Sequence, residues 1–216
     1  MLPLTKKIPK PLVKVNSVSL LKNSIDFLYK IGCKKIVINT HYKHNLISEF
    51  VQKISINYDI KISYEKSILD TAGGVKNAMR LFDDENIIVT NSDVFWKEEN
   101  ETDVADLINS FYSKEECRLL LVEKEKAYGL INKVGDFSLN NNLVKRWKAG
   151  DRVLYYSGIQ MISLNILNNF ILSKFSFNDV WNFQIRKNAL YGKLMHSNLY
   201  HVGDKNGLKE AINSNT

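Results

Sequence analysis

The chain predicts an α/β fold: a doubly wound, mostly parallel sheet with helices on both faces and a β-rich C-terminal half, in one domain over residues 1–216. Three observations carry this expectation. Short β-branched runs alternate with helical periods as far as about residue 115, the rhythm of a parallel sheet wrapped by helices. Beyond that point strand-like segments separated by Asn/Gly turns dominate. No repeat, low-complexity tract or long linker divides the chain.

Each element has a local reason. Leu20, Leu21, Ile25, Leu28 and Ile31 recur at helical spacing; Ser17 or Ser19 can cap the start, and Gly32 suits a left-handed stop. The run 34–40 is a buried-strand pattern, 43–55 returns to helical period, and 59–65 alternates as a strand does. Residues 72–82 read as a helix opened by glycines, and 86–93 as a buried strand ending in polar residues. In the second half, "CRLLLVEKE", "GDFSLNNNLVKRW", "RVLYYSGIQMIS" and "LMHSNLYHVG" are strand-like, with helices expected over 179–190 and 205–212. In doubly wound sheets the first strand is central, and the loop after it binds phosphates. "MLPLTKKIPKPLVKV" has the character of the segment just beyond such a loop, so a strand and a phosphate loop are expected ahead of Met1.

Composition narrows the partners. Thirty Lys+Arg against 23 Asp+Glu give a net charge of +7, spread along the chain rather than clustered. That favours an anionic small-molecule partner, or plain solubility, over nucleic acid. Cys33 and Cys117 lack any CxxC context, which argues against disulfides and zinc and for a reducing compartment. No apolar run approaches the roughly 20 residues of a membrane span, and no signal peptide is visible, so a cytoplasmic location without a membrane partner is expected.

Candidate site residues are picked out by position. Pro9 and Pro11 stiffen the backbone around Lys10, keep it out of a helix, and can present its ammonium to a phosphate; a solvated turn lysine fits the same pattern. In "LDTAGGVKNA" the glycines at the mouth of a helix permit close approach of a ring or phosphate, or simply a tight turn. Asp93 in "IIVTNSDVFW" ends a buried strand where open α/β sheets bind ligands. A carboxylate there, joined by substrate phosphates, suits magnesium, although a cap or turn aspartate is the plain alternative. His41 and His44 have no acidic or cysteine partner nearby and read as loop or cap residues. His201, just before Gly203, can face the same sheet edge as Asp93 or be an ordinary strand-end histidine. GxSxG, HExxH and Cys/His signatures are absent, and a phosphate nucleophile would need none of them.

Taken in order, "LPLTKKIPKPLVKV", "IGCKKIVINTHY", "LDTAGGVKNA", "IIVTNSDVFW", "GDFSLN", "YYSGIQMIS", "FSFNDVW" and "LYHVGDKNGLKEA" resemble the nucleotidyltransferase family that makes nucleoside-diphosphate sugars. The resemblance covers nearly the whole chain and is greatest to the bacterial N-acetylmuramate-1-phosphate uridylyltransferases of cell-wall recycling. It implies Mg²⁺-dependent transfer from an NTP, UTP first, to a sugar 1-phosphate, in a monomer or homodimer. It places Lys10 on the phosphates, and Thr71, Ala72, Gly73 and Gly74 against nucleobase and ribose. Asp93 would lie on the metal, and Gly135, Gly158 and Asn178 on the sugar side. Mannose- or glucose-1-phosphate guanylyl or thymidylyl transfer is the near alternative.

Two departures stand out. The family's opening strand and GxGxR-type loop are not in this sequence, and "YHVGDKNG" replaces a pattern nearer W-x-D-V-G-T-P. His201 therefore stands where a second metal-binding aspartate is implied. Imidazole is a poor magnesium ligand, so contact with phosphate or through water is the alternative role. The departures leave open a sugar-nucleotide-binding module without turnover.

Overall fold

The computed structural model describes residues 4–112, 114–130 and 134–214. A short helix α1 (Leu4–Lys7) leads to a 3₁₀ turn over Lys10–Leu12. The expectation that the prolines hold Lys10 out of helical structure is corrected here. Lys10 opens the turn, because a proline in the first turn of a helix forfeits no backbone bond. Strands β1 (Lys14–Val15) and β2 (Val18–Ser19) form a hairpin whose two loop residues, Asn16 and Ser17, have φ of 45° and 75°, as a turn matched to strand twist requires. Ser19 caps α2 (Leu20–Lys30), its Oγ accepting the Lys22 N–H at 3.2 Å, and Gly32 ends the run at φ 100°.

The βαβ unit β3 (Lys35–Thr40), α3 (His44–Ile54), β4 (Asp59–Tyr64) has its strands paired in parallel. It is followed by α4 (Asp70–Ala78), β5 (Asn86–Thr90), β6 (Val94–Phe95) and α5 (Asn100–Asn109). The second half comprises β7 (Cys117–Glu123), β8 (Ala127–Tyr128), β9 (Phe137–Asn140), β10 (Leu143–Arg146), β11 (Leu154–Ser163), α6 (Phe177–Arg186), β12 (Tyr191–Leu194), β13 (Leu199–His201) and α7 (Lys205–Asn213). Ser176 starts α6 with a reciprocal capping box to Asp179. Ser176→Ala is expected to cost about 1 kcal/mol and to lower Tm by roughly 2–4 °C, read by thermal melting.

The sheet is mixed rather than mostly parallel. Its six-stranded part runs β5-β11-β7-β12-β10-β9, with only β12–β7 parallel, and a small sheet runs β6-β13-β8. The reason is β11, which comes back from the β9–β10 ribbon and lies antiparallel between β5 and β7. Strands β7 and β11 are buried on both faces. Leu119 and Leu121 pack toward Phe137, Val180 and Trp181, while Leu120 and Val122 pack toward Trp96, Val104 and Leu107.

Between the β3–β4 pair and the edge strand β5 lies an open slot of about 1260 Å³. Its walls are β3 and β5, each bonded to a strand on one side only among the described residues. Ile25 and Leu28 of α2 and Val75 and Ala78 of α4 contribute to its lining. Among the described residues, no helix is long and apolar enough to cross a membrane.

Candidate functional site

The carboxyl end of β5 delivers a tightly held turn. The Asn91 N–H donates to the Gly158 carbonyl at 2.7 Å, and the Val202 N–H donates to the Asp93 carbonyl at 2.7 Å. The loop bearing Asp93 is thus tied by backbone to β11 on one side and to the end of β13 on the other. Gly158 has φ 93° beside an irregularity in the β11–β7 register, and a Cβ there would lie 2.7 Å from Val94 Cγ2. A glycine is required for this close crossing.

Lys10, Asp93 and His201 converge although they are far apart in sequence. Lys10 Nζ lies 2.8 Å from Asp93 Oδ2, and His201 Nε2 lies 3.4 Å from the same oxygen. His201 arrives because β13 pairs antiparallel with β6, setting His201 opposite Val94. Burial by itself would raise the Asp93 carboxyl. The His201 hydrogen bond and the Lys10 and His201 charges outweigh it and hold the group well below the usual carboxylate range. Asp93 Oδ1 and His201 Nδ1 are buried with no hydrogen-bond partner among the described residues.

Those orphaned atoms bear on the magnesium that the resemblance implies. Among the described residues no group of three or more His, Cys, Asp or Glu is arranged to hold a metal. Magnesium, however, takes one or two carboxylates and completes its shell with water and substrate phosphates. Asp93 Oδ1, buried and unpartnered, fits as that protein ligand; His201, a nitrogen donor, does not.

The cleft joins the slot at its carboxyl end, where Thr40, Glu65, Thr71, Ser92, Asp93 and Phe177 line it. Within the four-residue stretch expected to face a nucleotide, Thr71 is exposed, while Ala72, Gly73 and Gly74 are buried in the first turns of α4. A Cβ on Gly73 would lie 2.3 Å from the Ser173 carbonyl, and one on Gly74 would lie 2.5 Å from Glu65 Oε1. Their smallness therefore lets α4 pack against neighbouring chain. Thr71 Oγ1 accepts the Phe177 N–H at 2.9 Å, joining the start of α4 to the start of α6. His41 Nδ1 contacts the Glu65 carbonyl at 2.7 Å and His44 Nδ1 the Thr40 hydroxyl at 2.8 Å, local bonds that hold the loop after β3.

The remaining sugar-side candidates lie apart from this triad. Gly135 sits against the Trp147 ring, where a Cβ would approach Cγ to 2.8 Å. Asn178, exposed at the start of α6, accepts a hydrogen bond from Arg146 Nη2 at 2.9 Å. Sequence reasoning missed Arg146 and also Tyr156, whose hydroxyl is buried without a partner among the described residues. Burial, then the charges of Cys117 and Asp93, pushes the Tyr156 phenol well above its ordinary range. Arg146 lies in the strand-like "GDFSLNNNLVKRW" and Tyr156 in "YYSGIQMIS", but nothing local in either stretch marks the individual residue.

A family model described as nucleotidyl transferase matches residues 1–145. D-glycero-alpha-D-manno-heptose 1-phosphate guanylyltransferase of Campylobacter jejuni is 28% identical over 182 residues, covering 81% of this chain and 76% of its own. N-acetylmuramate alpha-1-phosphate uridylyltransferase of Caulobacter vibrioides is 26% identical over 212 residues, covering 94% of this chain and 87% of its own. The crystal structure of HddC from Yersinia pseudotuberculosis complexed with GMP-PN superposes with a TM-score of 0.79 at 21% identity, over 97% of this chain and 91% of that one. With a matching fold and a family match over well more than half its length, the chain belongs to the nucleotidyl transferase family.

Proposed function

We propose that this protein transfers a nucleotidyl group from an NTP to a sugar 1-phosphate, with UTP and N-acetylmuramate 1-phosphate as the pair. The observation that carries the reading is the Lys10–Asp93 contact at the mouth of the cleft. It puts an ammonium beside a half-buried carboxylate where open α/β sheets receive phosphates. An oxygen of the sugar phosphate attacks the α-phosphorus in line. The new P–O bond forms as the bond to the α–β bridging oxygen breaks, and pyrophosphate leaves with the electron pair. Because the second ionisation of a phosphate monoester lies near pH 6, the nucleophile is already anionic at neutral pH and needs no general base.

The chain's own residues then position and neutralise. Lys10 turns from Asp93 to the phosphates, Thr71 borders the nucleoside, and Gly135, Gly158 and Asn178 line the sugar side. Magnesium, held by Asp93 through Oδ1, would supply further neutralisation of phosphate charge. Similarity to the N-acetylmuramate uridylyltransferase extends over more of the chain than similarity to the heptose guanylyltransferase, which favours the uridylyl reading. The Campylobacter relative favours a second reading, guanylyl transfer to a manno-configured sugar phosphate.

Pyrophosphate release from a panel of four nucleotides against N-acetylmuramate, mannose and glucose 1-phosphates tests both. Fastest release with UTP and N-acetylmuramate 1-phosphate is the expected result. Preference for GTP with mannose 1-phosphate would install the second reading, and no release with any pair would remove both.

A further inference from the structure

Arg146 ends β10 directly across from Phe137 of β9, and its guanidinium is held on nearly every side but one. The Phe137 ring lies beneath it at 4.7 Å from carbon to centroid, and the Trp181 ring stands 5.9 Å away. Nε donates to Asn182 Oδ1 at 2.9 Å; Nη2 donates to Asn178 Oδ1 at 2.9 Å and, more weakly, to the Asn178 carbonyl at 3.4 Å. Nη1 has no partner among the described residues, and Arg146 forms no ion pair with any of them. Two neutral amides fix the plane of the fork without cancelling its charge. Burial pulls the guanidinium below its ordinary arginine range, opposed by the charge of Asp136. The Asp136 carboxylate, however, is engaged elsewhere, with Oδ2 accepting the Tyr156 N–H at 3.2 Å.

The location gives this cation its meaning. Asn178 comes directly after Phe177, which lines the cleft with Asp93 and Thr71 and whose N–H is bonded to Thr71. On the other flank, Trp181 is 4.8 Å from the Tyr156 ring, and Tyr156 feels the charge of Asp93. Arg146 itself does not line the cleft; it reaches the cleft wall through Asn178, which adjoins Phe177, on the side where the sugar would lie. Its flat, stacked and pre-oriented fork, with donors left over, matches a carboxylate better than a hydroxyl. A half-buried cation that forms no ion pair among the described residues, and feels only the nearby charge of Asp136, gains from direct contact with an anion.

We infer that Arg146 is a substrate-carboxylate site: it selects a sugar 1-phosphate that bears a second anionic group, a carboxylate on the sugar itself, over the same sugar without it. This rests on the reading of the cleft as a sugar 1-phosphate site. N-acetylmuramate differs from N-acetylglucosamine by its lactyl ether, whose carboxylate is the group required.

The test is calorimetric titration of the full chain with N-acetylmuramate 1-phosphate, N-acetylglucosamine 1-phosphate and the lactamide of the former, in which the carboxylate is a neutral amide. The expected result is a Kd at least tenfold tighter for the carboxylate ligand than for the other two. In Arg146→Gln that preference should fall to within about twofold, chiefly through a weaker Kd for N-acetylmuramate 1-phosphate. Equal binding of all three ligands to the wild-type protein overturns the inference. So does an Arg146→Gln change that weakens all three alike, which is the signature of a brace for α6. The lactamide comparison needs no variant, so misfolding of Arg146→Gln does not shelter the idea. Pyrophosphate release is scored separately: a carboxylate preference without turnover defeats the nucleotidyl-transfer reading and leaves the anion site standing.

Discussion

Asp93→Asn should lower kcat/KM for nucleotidyl transfer by about a hundredfold or more, with little change in the far-UV spectrum. The magnitude is that of removing one preorganised charge-stabilising group from an active site. Asparagine keeps the shape and the Val202 N–H bond to its backbone, but it offers Lys10 and His201 no charge. Lys10→Ala should cause a comparable loss. His201→Gln should cost less than tenfold, because its Nε2 stands at 3.4 Å, behind the ammonium at 2.8 Å. Full activity in Asp93→Asn, measured as pyrophosphate release, would remove Asp93 from the mechanism.

The same substitution has a pH signature. The Asp93 carboxyl is depressed in the folded protein, so its contribution to stability is complete above the ordinary carboxylate pKa, about 3.9, and is lost as pH falls toward the folded value. The Tm gap between wild type and Asp93→Asn should therefore be largest near neutrality and shrink below about pH 4. A gap that widens in acid would mean that the carboxylate is not stabilised by its two cationic neighbours.

The second large effect concerns a glycine remote from the cleft opening. Gly129 has φ 84°, and a Cβ there would lie 2.1 Å from the His201 carbonyl; a Cβ on Gly207 of α7 would lie 2.2 Å from the same oxygen. The two glycines clasp the last peptide of β13, and a methyl on either must push that strand away from β6 and β8. Gly129→Ala is expected to cost about 2–4 kcal/mol, a Tm fall of roughly 5–15 °C, and to displace His201 from Asp93. Gly150, at φ 99° with nothing within 4 Å of its Cβ position, supplies the control. Gly150→Ala carries only the left-handed backbone cost of about 1–2 kcal/mol. Similar melting shifts for the two variants would show that the clasp has no energetic weight.

The features legible in the sequence are those that depend on neighbours along the chain. The apolar spacing of Leu20, Leu21, Ile25 and Leu28, the Ser19 cap and the Gly32 stop define α2 nearly residue for residue. Helix α5 escapes such a reading because Glu101, Asp103 and Asp106 dilute the apolar face that Val104 and Leu107 bury. Strand direction is not legible either: a period of two places side chains on faces but says nothing about which partner a strand meets, so β11's antiparallel return is missed. Asp93 is visible because position at a strand's end is local, whereas its contact with Lys10 spans 83 residues. The glycines of "TAGG" are visible as glycines, but only packing reveals that Gly73 is small for the Ser173 carbonyl. Arg146 acquires its interest from Phe137, Asn178 and Asn182, none of which is its neighbour in sequence.

The slot beside β5 has a mechanical corollary. Strands β3 and β4 hold each other through a six-residue parallel register, yet no backbone hydrogen bond among the described residues crosses from them to the six-stranded sheet. The unit of β3, α3 and β4 is fastened instead by side chains, such as Ile25 and Leu28 against Ile36 and the bond from Asn77 to Ser63. Such a unit is expected to open as a foldon of its own. In native-state amide exchange, the amides of β3 and β4 should exchange through a cheaper, local opening, while those of β7 and β11 wait for global unfolding. Thr40 rides on the looser body and Asp93 on the firmer one, so a ligand that touches both would act as a rivet, and its binding would be read as slowed exchange in β3 and β4.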